Sequence, residues 1–357
     1  RVKNAISKTL IYLIMKCFLL QAKNIRLSLL FTVISGIILI ASGCKKAEPP
    51  KPVLSISTLA KGLINPIGLE MDKAGRIWVA QGGSGHNDGK VSVITQDGKI
   101  YDAIINFESV NNESGEIDGP THLLFSNGLL YILGRNGKMF KADESAFKAG
   151  NAPVNASSLG AEDISTFVLA QKWAHPTNDS HPYNLTEGAN GAIYITDAGA
   201  NAIIRRDKTG VLSVVTEVPG IKNPTPVGPP QIESVPTGII YDGQNFLVTT
   251  LLGFPFPPGK AIVYKVSPAG AIAIYQQGFT SLVDIQQGGP IGRLVLEHGT
   301  FGTMGFAPNT GRLVWADGIT ATLLADKLNL PVGLKQADDH TWYVTSLGDG
   351  SVLKVKY

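Results

Sequence analysis

Pro66-Ile67-Gly68-Leu69 stands ahead of a strand-like run, Arg76-Ile77-Trp78-Val79, and the same arrangement returns five more times. The later openings are Pro120-Thr121-His122-Leu123, Pro182-Tyr183-Asn184-Leu185, Pro236-Thr237-Gly238-Ile239, Leu282-Val283-Asp284-Ile285 and Pro331-Val332-Gly333-Leu334. Their starts lie about 46 to 62 residues apart, the length of one four-stranded sheet with its loops. Self-similarity at that period marks a propeller or an array. The predicted fold is all-β, a six-bladed β-propeller of four-stranded blades.

Each opening is followed by an apolar, β-branched or aromatic second strand, such as Ala192-Ile193-Tyr194-Ile195 and Thr341-Trp342-Tyr343-Val344. Runs apolar on both faces suit strands sandwiched between neighbouring blades. Third strands often begin after Gly, as in Gly89-Lys90-Val91-Ser92-Val93. Fourth strands are expected near 101–107, 164–170, 211–216, 271–276 and 320–325. The last repeat ends at Tyr357 after its third strand, while a spare strand, Val53-Leu54-Ser55-Ile56-Ser57-Thr58-Leu59, precedes the first opening. Pairing that strand into the last blade closes the ring three-plus-one and removes an open sheet edge.

The N-terminal segment reads as an address. Residues 1–14 are expected to be upstream sequence ahead of Met15. From Met15, Lys16, Lys23 and Arg26 form a basic region, Leu27 to Ala41 an apolar one, and Ser42-Gly43-Cys44 ends it. This is a signal-peptide pattern over 15–43, too short for a lasting membrane span. Residues 44–52 form a Pro-rich tether, and 53–357 the propeller. Cys17 and Cys44 are the only cysteines, so the propeller carries no disulfide. Residues 1–43 hold six of the 31 basic residues and none of the 28 acidic ones, so the rest has a net charge of −3. No basic patch with interleaved aromatics remains, and nucleic acid is not an expected partner.

Loop lengths point to one face. Fourth-to-first and second-to-third connections share a face and are long: 81–89, 108–119, 171–181, 217–234, 252–259 and 298–310. The opposite face is expected to be plain, with short turns such as 72–75, 96–98 and 208–210. Long loops on a rigid scaffold are where binding groups concentrate. At the third position of the opening, three blades have Gly and three have His122, Asn184 and Asp284, all at one height on the innermost strands. An imidazole, an amide and a carboxylate converging there could hold a substrate oxygen or a single divalent cation (Ca, Zn or Mg), with His122, Asn184 and Asp284 as the metal candidates. They could equally satisfy one another around water. Asp197, Glu297 and His298, at second-strand ends, join this channel-mouth set. Phe254 and Phe256, in Phe254-Pro255-Phe256-Pro257-Pro258, are recognition-loop candidates, either as an exposed ridge or as a plug over the channel. His181 reads as a surface-loop residue. No Gly-x-Ser-x-Gly elbow, His-Glu-x-x-His run or Cys pair occurs, which removes the common hydrolase and zinc templates.

Two groups of residues carry a resemblance. Asp179-Ser180-His181-Pro182-Tyr183-Asn184-Leu185 with Ile195-Thr196-Asp197-Ala198-Gly199-Ala200-Asn201-Ala202-Ile203, and Leu252-Gly253-Phe254-Pro255-Phe256-Pro257-Pro258-Gly259, resemble segments of the ScyD/ScyE family of exported, NHL-like propellers. Asn184 departs from the Gly usual there. The resemblance implies a propeller outside the cytoplasm and carries no catalytic set. Ala41-Ser42-Gly43-Cys44 resembles a bacterial lipobox, which implies lipidation at Cys44 and a membrane-anchored lipoprotein of the cell envelope, on its periplasmic or cell-surface side. Two function classes follow. One is a lipid-anchored binding or scaffold protein that takes a small molecule or a protein on its long-loop face. The other is a metal-dependent lactonase- or lyase-like enzyme with its site at the channel mouth.

Overall fold

Six four-stranded antiparallel blades follow one another around an axis. The computed structural model describes residues 54–113, 115–288 and 292–357; the expected signal segment, Cys44 and the expected tether lie outside the described residues. Blade 1 is Pro66–Met71, Ile77–Gln81, Gly89–Ile94 and Ile100–Phe107. Blade 2 is Leu123–Ser126, Leu129–Leu133, Lys138–Ala142 and Gly160–Asp163, and blade 3 is Pro182–Glu187, Ile193–Asp197, Ala202–Arg206 and Leu212–Glu217. Blade 4 is Pro236–Tyr241, Phe246–Thr250, Ala261–Val266 and Ile272–Phe279. Blade 5 is Leu282–Gln287, Arg293–Glu297, Gly311–Ala316 and Ala321–Leu328. Blade 6 takes Pro331–Asp338, Thr341–Ser346 and Ser351–Lys356, and its fourth strand is Ser55–Lys61 from the other end of the chain. That strand runs antiparallel to the last one, Ser55 opposite Lys356 and Lys61 opposite Ser351, which is the expected three-plus-one closure.

The second strands of blades 1, 3, 4 and 6 are buried along their whole length. Their side chains feed apolar clusters between neighbouring blades. Trp78, Val91 and Leu130 join blade 1 to blade 2, and Leu247, Val263 and Val295 join blade 4 to blade 5. Leu63, Val79, Tyr343 and Val352 join blade 6 back to blade 1. The core is thus divided among the seams, and every blade depends on both neighbours.

The repeated opening has a structural cause. In five blades the pairing of first and second strands shifts register inside it, between Pro66 and Leu69, Pro182 and Asn184, Pro236 and Ile239, Leu282 and Asp284, and Pro331 and Gly333. Three of these bulges, in blades 1, 4 and 6, have a Pro at the start and a Gly within, which suits a strand that bends and meets another backbone closely. Here the other backbone belongs to the next blade. A Cβ on Gly68 would lie 2.6 Å from Thr121 O, and one on Gly333 would lie 2.6 Å from Ile67 O.

Blade 2 departs from the sequence reading. Its fourth strand is Gly160–Asp163, and 164–170 is not a strand: Ile164–Leu169 is a short α-helix. Asp163 caps it by accepting from Thr166 N at 2.9 Å, and Ile164 and Val168, four residues apart, bury one helical face. The connection ahead of that strand, 143–159, is long although it lies on the otherwise plain face. Within it Val154–Asn155 pairs in parallel with the outer strand of blade 1, Val154 opposite Ile104, and covers that edge.

Removing Ser55–Lys61 leaves Ser351–Lys356 as an unpaired edge and opens the seam at Ala60 and Leu63. The truncated chain is expected to lose its single cooperative urea transition and to self-associate, read by circular dichroism and light scattering. A monomer with unchanged unfolding would contradict the closure.

Candidate functional site

Neighbouring blades are stitched into a ring around the axis. Gly68 N donates to Thr121 O at 2.8 Å, and Thr121 Oγ1 reaches Pro182 O at 3.5 Å. Thr196 Oγ1 donates to Thr237 O at 2.6 Å and Thr237 Oγ1 to Leu282 O at 2.9 Å. Leu334 N donates to Asp284 Oδ2 at 2.7 Å, and Thr345 Oγ1 donates to Ile67 O. Every blade-to-blade step around the axis carries one polar link.

Asn184 and Asp284 sit within this ring. Asn184 Nδ2 donates to Asp284 Oδ1 at 3.2 Å, from blade 3 to blade 5. Blade 4 lies between them and contributes Gly238, where a Cβ would come within 2.6 Å of Asp284 Cα. The Gly at that position is the space that Asp284 needs. Asp284 also accepts from Ile285 N at 2.8 Å, and Asn184 Oδ1 accepts from Leu185 N at 2.7 Å. Burial raises the Asp284 carboxyl to about 7, against the Leu334 and Ile285 N–H donors, which favour its ionised form.

His122 is 3% exposed, and neither ring nitrogen has a hydrogen-bond partner. Its ring lies 4.7 Å from that of Tyr183. Burial lowers its pKa to about 3, with a small opposing effect from the Tyr183 backbone, so it is neutral at ordinary pH. Among the described residues, no group of three or more His, Cys, Asp or Glu side chains is placed to hold a metal ion.

The second-strand ends hold the loops. Asp197, fully buried, accepts from Ser180 Oγ at 2.6 Å, His181 N at 2.8 Å and Ala200 N at 2.9 Å. Glu297 accepts from Thr280 N at 2.7 Å and pairs with Arg312. Burial raises both carboxyls. His298 Nδ1 lies 3.0 Å from Pro331 O, so that nitrogen carries the proton, and burial lowers its pKa. Gln81 does the same work in blade 1 by accepting from Ile64 N at 2.8 Å. In blades 1, 3, 5 and 6 a polar group at this height, Gln81, Asp197, Glu297 and Ser346, pins the chain just ahead of an innermost strand.

Phe256 packs at 4.6 Å on Phe301 and 5.1 Å on Phe306, and His298 stands edge-on to Phe306. Phe254, 48% exposed, meets Phe301 edge-on. Phe301 and Phe306 flank a small hairpin, Phe301–Gly302 with Gly305–Phe306. The loop is therefore a ridge anchored beside the channel mouth.

A cavity of about 510 Å³ opens on the long-loop face. Its floor is made by the second position of four openings, Ile67, Thr121, Tyr183 and Thr237, one residue before the aligned polar set. Its walls include Glu116, Asp118, Asp179, Glu233, Thr177 and His181. None of these wall residues belongs to the repeat; each is on a loop. His181 is placed by the Asp197 latch on its own N–H. Its nearness to the Pro-Tyr-Asn-Leu opening was the available signal. Burial, followed by the charge of Asp284, raises the Tyr183 phenol above its ordinary pKa.

No family model and no curated protein matches the sequence. Among solved structures, the chain is similar to the PQQ-bound aldose sugar dehydrogenase of Streptomyces coelicolor, with 13% identity, 87% of this chain and 99% of that one covered, and a TM-score of 0.57. A streptogramin B lyase shares 16% identity over 85% of this chain and 97% of its own, with a TM-score of 0.50. A protein of unknown function from Bacteroides thetaiotaomicron shares 13% identity over 85% and 76%, with a TM-score of 0.51. At these identities the likeness establishes the propeller fold alone.

The raised Asp284 pKa has a sign that can be measured. Unfolded, the group titrates near 3.8; folded, near 7. Its contribution is fully present below about pH 4 and is lost as pH rises to about 7. His122 has the opposite sign, losing stability as pH falls from about 6.5 toward 3, so the whole-protein curve mixes the two. The unfolding free energy of the protein minus that of Asp284→Asn, from urea titrations, is expected to fall by about 1.4 kcal/mol per pH unit at most between pH 4 and 7, and to be flat above. A difference independent of pH would overturn the assignment.

Proposed function

We propose that this chain is a binding protein that takes a small polar molecule at the mouth of its axial channel. The observation that carries the reading is the cavity of about 510 Å³. Its size is ordinary for a small-molecule site; its carboxylates and imidazole come from the decorated loops, and Thr121, Thr237 and Tyr183 add hydroxyls and an aromatic ring from the floor. The polar groups below it are bonded mainly to one another, so they fix the floor and leave the contacts to the wall. Lipidation at Cys44 and residence in the cell envelope belong to the same proposal, supported by the Ser42-Gly43-Cys44 pattern and by the resemblance to the exported ScyD/ScyE propellers.

An enzymatic reading of the lactonase or lyase kind draws on His181, an imidazole in the cavity wall beside Asp179, and on the enzymes among the structural neighbours. Fold analogy is weak support for chemistry. About one tightly held Ca, Zn or Mg per chain, by elemental mass spectrometry, would shift the assignment to it.

Ala198→Trp places an indole in the cavity without touching the ring of polar links. In a thermal-shift screen of amines, sugars, hydroxy acids and dicarboxylates, at least one class is expected to raise the melting temperature of the protein by a few degrees at about 100 times its Kd, and to leave Ala198→Trp unmoved. No shift with any class would overturn the binding reading. Cys44→Ala is expected to abolish acyl labelling and membrane fractionation in a bacterial host; retained labelling would overturn the lipid anchor.

A further inference from the structure

The mouth cavity also indicates what chemistry its ligand has, an inference that rests on the binding reading above. Its wall contains four carboxylates, Glu116, Asp118, Asp179 and Glu233, and no Lys or Arg lines it among the described residues. Asp118 has a cation nearby, Arg135 at 3.0 Å. The propeller region, 53–357, has a net charge of −5, and four of its carboxylates share this one cavity wall. A concave site of one sign focuses the field on its contents.

A second observation is independent of the charge. The cavity wall continues into an apolar surface on the same face. Gly253 N donates to Glu233 O at 3.0 Å, and the next residue is Phe254, half exposed over Phe301. Met304, at the hairpin tip between Phe301 and Phe306, is 99% exposed, and Val227 is 53% exposed. Gly228, beside Val227, packs against Phe254 and Pro255, where a Cβ would stand 3.2 Å from each. Anionic wall and apolar ridge therefore meet at Glu233.

A third observation lies beneath the floor. His122 is 3% exposed with both ring nitrogens unpartnered. It sits between Thr121, its chain neighbour, and Tyr183, its ring neighbour, and both of those line the cavity. His122 itself does not line the cavity and packs beneath it. Tyr183 adds an aromatic ring to the lining, a group that attracts organic cations through its π face.

We infer that the ligand is an amphiphilic organic cation, with its ammonium group among Glu116, Asp118, Asp179 and Glu233 and its apolar body along the Phe254 ridge. An inorganic cation would use the carboxylates and ignore the ridge. A sugar would not need the excess of negative charge.

The test is isothermal titration of the full chain in a non-ionic detergent, with detergent alone as blank. The probes are benzyltrimethylammonium, tetramethylammonium, benzyl alcohol, benzenesulfonate and calcium chloride. Benzyltrimethylammonium is expected to bind at least tenfold more tightly than the other four, and more tightly as salt is lowered. The double variant Asp179→Asn/Glu233→Gln is expected to weaken it at least tenfold, and Phe254→Ser several-fold, with melting temperatures unchanged. Equal binding of benzyl alcohol, preference for benzenesulfonate or calcium, or an unaffected double variant would overturn the inference. If the thermal-shift screen still finds another class blocked by Ala198→Trp, the binding reading stands and only the cation falls. If no class binds, both fall.

Discussion

The ring of polar links between neighbouring blades around the axis is the constraint on which the rest of the molecule depends. A propeller has no central core; its apolar clusters lie in the seams. What holds the blades at a common distance from the axis is contact at the bulge, where one backbone meets the next. That contact explains the glycines. Gly68, Gly238 and Gly333 stand where a neighbouring carbonyl or carboxylate leaves no room for a Cβ. Threonines 121, 196, 237 and 345 supply hydroxyl donors beside these contacts, since a carbonyl drawn away from water needs a donor.

This architecture was legible because it repeats. Six openings with similar spacing, buried second strands and a spare N-terminal strand are periodic signals, and Ser55–Lys61 pairs where the missing strand of the last blade required. The error in blade 2 has a local cause. Ile164-Ser165-Thr166-Phe167-Val168-Leu169 has strand-like composition, but Asp163 caps a helix ahead of it, and one capping carboxylate outweighs the weak β-preference of six residues.

The site was legible only in part, for the opposite reason. His122, Asn184 and Asp284 could be aligned because they occupy one position of the repeat, and two of them do meet. The cavity begins one residue earlier on the strands and is walled by Glu116, Asp118, Asp179, Glu233 and His181, which come from loops of different length. Nothing periodic connects such residues, and only the folded scaffold brings them to one place. Asp197 and Glu297 illustrate the reverse case. As buried carboxylates near a channel they have the look of chemistry, yet each is engaged in holding a loop.

Closure by the N-terminal strand also determines from which face the two ends of the described chain leave. Lys61 leads through a short loop into Pro66, on the side where the cavity opens, so Ser55 and its partner Lys356 stand at the far side. A chain that continues backward from Ser55 leaves from the plain face. The strand that seals the ring thus keeps both ends of the described chain on the face away from the cavity.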